Sequence, residues 1–179
     1  LTASKRGANV YYILGNHDEA FRKFLSFDLE IGNVKVLNEY SYQSVSGKQI
    51  LVIHGDMFDS LMLDKKWLMH IGDVAYNILI WANIHLNKVR NLFGMKYWSL
   101  SNWLKQNTKK ALNYINSYED HLSKYCKEHS YDAIICGHIH VPVIKKIGDI
   151  DYLNCGDWVE SGTAIVEHHD GTFELVEFR

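Results

Sequence analysis

Short apolar runs that read as strands mark both ends of the chain, and apolar positions recur with a helical period across its middle. Ala8 to Leu14 is an apolar, aromatic-rich run that reads as a strand and stops at Gly15-Asn16-His17-Asp18. Glu19 to Leu25 takes a helical pattern, with Phe21, Phe24 and Leu25 expected to face a core. Val34 to Asn38, Tyr42 to Ser46 and Gln49 to His54 follow as strands, the last two joined by a tight turn at Gly47-Lys48. From Met57 to about His129 the pattern is helical. Trp67, Ile71, Val74, Ile78 and Ala82 recur on one helix, and Ala111, Ile115, Tyr118, Leu122 and Cys126 on another, with Gly94 breaking the chain between them. Ile80, Trp81 and Ile84 give the first helix a second apolar face, so it must be buried on more than one side or present part of itself to a partner, lipid or acyl ligand. Ile134 to Val143 reads as a buried strand running through Gly137 into two histidines. Strands are expected again at Val143 to Ile147, Tyr152 to Cys155, Thr163 to Glu167 and Thr172 to Phe178, with turns at Gly148-Asp149 and Asp170-Gly171.

The polar residues that interrupt this pattern gather where strands stop. Asn16 and His17 sit on a strand-to-helix turn, His54 ends a strand before Gly55-Asp56, and His138 and His140 flank Ile139 beyond Gly137. Ligands of α/β sheets bind beyond the carboxyl ends of strands. Imidazoles at i and i+2 converge on adjacent ions only where the chain leaves regular strand geometry, and Pro142 fixes a backbone unsuited to a ladder just afterwards. The Asn16 carboxamide is a neutral hard ligand, His17 can ligate or deliver a proton, and Asp18 is placed to hold the second nitrogen of His17. Taken singly, each has a plain alternative: an Asn-capped helix start, or a hydrogen-bonded core histidine. Asn154, Asp157 and Trp158 lie at a further strand end, as substrate contacts or as turn residues.

Composition narrows the class. With 179 residues, 47% hydrophobic and 22% charged, the chain fits one globular domain, 1–179, with the helical stretch 57–130 set within it. Cys126, Cys136 and Cys155 are odd in number and lack finger or redox spacing, which favours free thiols and a cytoplasmic setting. The net charge of −2 hides an asymmetry: residues 60–130 carry ten Lys/Arg against five Asp/Glu, and the remainder nine against sixteen. A basic, aromatic-rich middle in an acidic frame suits an anionic substrate or the inner face of a membrane on one side and cation binding on the other. The basic residues are interleaved with helical core positions, so nucleic acid is not expected.

Gly15-Asn-His-Asp18, His54-Gly-Asp56 and Gly137-His-Ile-His140, in that order, resemble the calcineurin-like metallophosphoesterases. The resemblance implies an α/β fold, a four-layer α-β-β-α sandwich of two mixed sheets, with a helical insertion. It also implies two divalent metal ions, typically manganese, iron or zinc, sharing a bridging water. Carried over by motif, Asn16, His54 and His138 would bind one ion and His140 the other, while His17, oriented by Asp18, would stabilise or protonate the transition state. The family pattern begins with Asp-x-His and Gly-Asp-x-x-Asp, and Leu1 to Asn9 offers neither. The expectation is a member cut after its first strands, with the first metal site incomplete.

Within the family, the long insertion and the tail Asn154-Cys-Gly-Asp-Trp158 look like the UDP-2,3-diacylglucosamine pyrophosphatases of lipid A synthesis. That resemblance implies hydrolysis of a pyrophosphate or phosphodiester in an amphiphilic nucleotide-sugar lipid, with Ile78 and Trp81 of the insertion meeting acyl chain or membrane. The position of His17 carries arginine in the best-known members, which leaves the substrate open among related phosphodiesters. A generic protein or nucleotide phosphatase of the same fold and an inactive interaction scaffold are the competing functions.

Overall fold

Val10, Tyr11, Tyr12 and Ile13 form the first strand, β1 (Val10–Ile13), behind a one-turn helix, α1 (Thr2–Lys5). The computed structural model describes the backbone of residues 2–27, 29–60, 66–100 and 109–178, and their side chains except at 27, 60, 66–77, 79 and 109–111. After β1 the chain winds into a 3-10 helix, Asn16–Phe27. Residues three apart eclipse in such a helix. Arg22 and Leu25 therefore line up on the inner side, while Phe21 and Phe24 line up outward and are nearly half exposed, against the expectation that they face a core. The strands β2 (Glu30–Ile31) and β3 (Val34–Leu37) complete a small mixed sheet of order β1-β3-β2, with β1 and β3 parallel.

A second mixed sheet, of five strands, holds the main core. It comprises β4 (Glu39–Gln43), β5 (Gln49–Ile53), β6 (Ala133–Cys136), β7 (Val143–Ile147) and β8 (Ile150–Asn154) in the order β4-β5-β6-β8-β7. β4 lies earlier than its sequence pattern implies because Ser44 starts the turn: its amide and hydroxyl both bond Lys48, which sets Gln43 opposite Gln49. β6 stops at Cys136, short of the expected Val143, because His138 and His140 adopt left-handed backbone conformations (φ 60° and 52°) that no strand continues.

Between β5 and β6 run the expected helices, α2 (Asp56–Ser60), α3 (Lys66–Leu92) and α4 (Lys109–Glu128). Trp67, Ile71, Val74 and Ala111 fall on these helices with side chains outside the described residues. Ile115, Tyr118, Leu122 and Cys126 form the buried stripe of α4, packed on Leu51, Ile53, Ile134, Cys136, Ile150 and Tyr152. The alternate residues Ile50, Ala133 and Leu153 face the other way, against Ile165 and Phe173 of a hairpin, β9 (Thr163–Glu167) and β10 (Phe173–Glu177). Coverage of both faces is what the unbroken apolar runs of β5 and β6 require.

Toward its described C-terminal end, α3 turns polar residues to the rest of the chain. Asn83 and Asn87 are turned toward the returning chain: Asn83 bonds the Tyr97 hydroxyl and the Leu100 amide, and Asn87 bonds both the carbonyl and the amide of Trp98. Ile78, Trp81, Ile84, Val89, Leu92 and Phe93 are exposed, Trp81 by 64%. No described helix is long and apolar enough to cross a membrane.

Candidate functional site

Parallel pairing of β5 with β6 and of β6 with β8 brings three strand ends to one edge of the sheet. The ladder continues past the strands, since the Gly137 amide donates to the His54 carbonyl at 3.2 Å and the Cys155 amide to the Cys136 carbonyl at 2.8 Å. His54, His138 and His140 thus line one cleft of about 290 Å³, with Cys155 and Gly156 on its wall. β1 reaches it from the other sheet. A Cβ on Gly15 would stand 2.7 Å from Nε2 of His54, so only glycine lets the turn carrying Asn16 and His17 approach this closely.

Each histidine has a carboxylate near it. His54 Nδ1 donates to Asp56 Oδ1 (3.2 Å), which leaves Nε2, the nitrogen beside Gly15, as the lone-pair side. Asp56 is in turn gripped by two contacts from Arg22 Nη2, at 2.7 and 2.9 Å. Burial alone would push the Asp56 carboxyl up, but hydrogen bonds from His54 and Arg22 outweigh it and hold the group at about 2. His138 Nε2 donates to Asp59 Oδ2 at 3.0 Å, and the second Asp59 oxygen accepts the Tyr114 hydroxyl. Asp59 is likewise lowered, its two hydrogen bonds prevailing over burial. His140 Nδ1 stands 3.8 Å from Asp157 Oδ2, while Asp157 Oδ1 caps the amides of Val159 and Glu160. The rings of His54 and His138 are 5.1 Å apart.

The family profile of the calcineurin-like phosphoesterases matches residues 1–142. The chain belongs to that family. The UDP-2,3-diacylglucosamine hydrolase of Vibrio atlanticus (strain LGP32) is 27% identical over 169 residues, which is 89% of this chain and 65% of that relative. The chain therefore spans just under two-thirds of the length of this curated relative. Among solved structures, an archaeal phosphodiesterase aligns with 94% of this chain and 68% of its own, at 13% identity and a TM-score of 0.39.

Members of this metallophosphoesterase family imply divalent metal ions, and the donor set of the cleft fits them. Metal-binding histidines commonly give their second nitrogen to a carboxylate, which fixes tautomer and ring orientation. His54 and His138 do so through opposite nitrogens. Among the described residues, however, no group of three or more His, Cys, Asp and Glu side chains already converges to hold an ion.

The structure brings together His54, His138 and His140; Asn16 and His17 are not among the residues that line the cleft, and the turn that carries them approaches it at Gly15. His17 is exposed. The pairing expected between His17 and Asp18 is not formed: Asp18 Oδ2 accepts the Tyr12 hydroxyl at 2.7 Å, because β1 points Tyr12 outward over the start of the 3-10 helix. Asn154 is fully buried and bonds the Gly137 carbonyl, the Tyr152 hydroxyl and the Gly156 amide, so it builds the floor of the cleft and does not face a substrate. Trp158 is 71% exposed and stacked on Phe178 at 5.3 Å. Ile78 and Trp81 lie on α3, outside the residues lining the cleft. Sequence reasoning passed over Arg22, Asp59 and Tyr114. Only Asp59 carried a signal, standing three residues after Asp56 and hence on the same side of a helical turn.

Proposed function

We propose that this chain carries out part or all of a metal-dependent phosphohydrolase reaction, cleaving a pyrophosphate or phosphodiester in an amphiphilic substrate such as a UDP-2,3-diacylglucosamine-like nucleotide-sugar lipid. The observation that carries the reading is the cleft at the strand ends, where His54 and His138 each give one nitrogen to a buried carboxylate and keep the other for a ligand. Two divalent ions, with manganese the first candidate and iron or zinc the others, would supply Lewis-acid stabilisation of charge on the phosphoryl group. Asn16, His54 and His138 would hold one of them and His140 the other.

The protein residues have separate tasks. Arg22 and Asp56 hold His54 so that Nε2 faces the turn from β1. His17, exposed at the start of the 3-10 helix, is free to hold a proton for the leaving oxygen of a bound phosphate. Ile78, Trp81, Val89, Leu92 and Phe93 offer apolar surface to an acyl chain or membrane, beside the basic residues Lys88, Arg90 and Lys96. No Asp or Glu occurs from Val74 to Tyr118, so nothing acidic in that stretch repels an anionic headgroup.

The test is hydrolysis with and without manganese on two substrates, detergent-dispersed UDP-2,3-diacylglucosamine and a small soluble phosphodiester. Manganese-dependent release of a nucleoside monophosphate from the first, at higher kcat/KM than on the second, supports the reading. Equal rates on both would reduce α3 to a structural element, and no metal-dependent turnover of either would remove the enzyme reading.

A further inference from the structure

We infer that Asp59 and Tyr114 are positioning residues for His138, through which the helical insertion sets which imidazole nitrogen is presented to the cleft; this rests on the metal-site reading above. Neither residue lines the cleft. Asp59 comes from α2 and Tyr114 from α4, elements that flank α3, and they meet on one carboxylate: Oδ2 accepts from His138 Nε2 at 3.0 Å and Oδ1 accepts the Tyr114 hydroxyl. The arrangement is buried, with Asp59 8% exposed. His138 needs such support because its backbone is left-handed, at φ 60°, a conformation that L side chains rarely hold unaided. The Tyr118 ring lies 6.1 Å from the imidazole and 6.3 Å from the Tyr114 ring, so α4 sets both the carboxylate and the packing around His138.

The two carboxylates behind the two histidines differ. Asp56 is neutralised by Arg22, whereas among the described residues no lysine or arginine is paired with Asp59. A buried carboxylate whose partners are a hydroxyl and an imidazole N–H pulls more strongly on that N–H, which makes the opposite nitrogen, Nδ1, the more basic donor. The geometry thus assigns His138 the stronger ligand role and makes the insertion responsible for it.

Two measurements on the whole chain test this: titration of manganese alone by calorimetry, and long-range ¹H–¹⁵N correlation of the histidine rings in metal-free protein. The wild type should show His138 as the Nε2–H tautomer. D59A should lose that tautomer and bind manganese about 10- to 100-fold more weakly, the usual effect of removing a group that orients a ligand. Y114F removes a single hydroxyl and keeps the ring, so it serves even if D59A fails to fold; it should retain the tautomer and weaken manganese binding several-fold. Wild-type manganese affinity in Y114F and D59A, or an Nδ1–H tautomer in the wild type, would overturn the inference. If the wild type binds no manganese, the metal-site reading falls instead, and the tautomer in wild type and D59A still decides the positioning role.

Discussion

Tyr118 fills with its hydroxyl the space that a side chain on Gly55 would occupy. Gly55 also sits at φ 109°, so the turn between β5 and α2 is closed to any other residue on two counts. Gly55→Ala should destabilise the protein by about 2–5 kcal/mol, combining backbone strain with overpacking. Gly94 is the control: it too has positive φ, at 67°, but nothing lies within 4 Å of its would-be Cβ, and Gly94→Ala should cost about 1–2 kcal/mol. Denaturant melts of the two variants decide it, and equal losses would mean that Tyr118 yields freely.

The Arg22–Asp56–His54 chain predicts a loss of stability in acid. Asp56 is held at about 2, below the ordinary 3.8, so its ionised form stabilises the fold. That contribution, about 2 kcal/mol by linkage, is complete above pH 4 and disappears as pH falls through 2. Arg22→Met should lower stability above pH 4 and converge with wild type near pH 2. A gap between the two that stayed constant over this range would show that Arg22 acts through packing alone.

His54→Ala or His138→Ala should remove bound metal together with nearly all turnover. His17→Ala should keep metal and lose a factor of about 10² to 10⁴ in rate, the range for a group that transfers a proton or stabilises charge. Metal analysis beside the rates separates the roles, and loss of metal in all three variants would make His17 a ligand.

His54 and His138 were legible in the sequence because each follows an apolar run and adjoins a glycine, a pattern that survives without any knowledge of the fold. The partners that fix them were not. Asp59 is 79 residues from His138 in sequence and meets it through the parallel pairing of β5 with β6, while Arg22 is 34 from Asp56 and reaches it from the other sheet, through the turn after β1. Phe21 and Phe24 misled for another reason: with a period of three in place of 3.6, the same residues face the other way. Asn154 looked like a strand-end contact because its burial depends on the Tyr152 and Gly156 geometry beneath the cleft.

Trp81 and Ile78 are 64% and 61% exposed, so changing them should leave the fold intact. Trp81→Ala or Ile78→Asp should raise KM for a diacylated substrate, since burying one such side chain is worth roughly 1.5–3 kcal/mol. The loss should exceed that on a small soluble phosphodiester by tenfold or more, with thermal melting unchanged. Parallel losses on both substrates with a lowered Tm would place α3 in the core.

The pairing of β5 with β6 spans the whole helical insertion, so its consequence reaches folding kinetics. Local elements such as α4 and the β9–β10 hairpin require no long loop to close, whereas the histidine cleft forms only once the insertion has been looped out and two distant strands have met in register. A slip of one residue in that register would move His54 by about 3.3 Å along the sheet and turn its side chain to the opposite face. Leu51 and Ile53 pack against α4 while Ile50 packs against Ile165 and Phe173 of the hairpin, so a slip would exchange the partners of every residue in β5, and the fit of these two core clusters fixes the placement of the histidines.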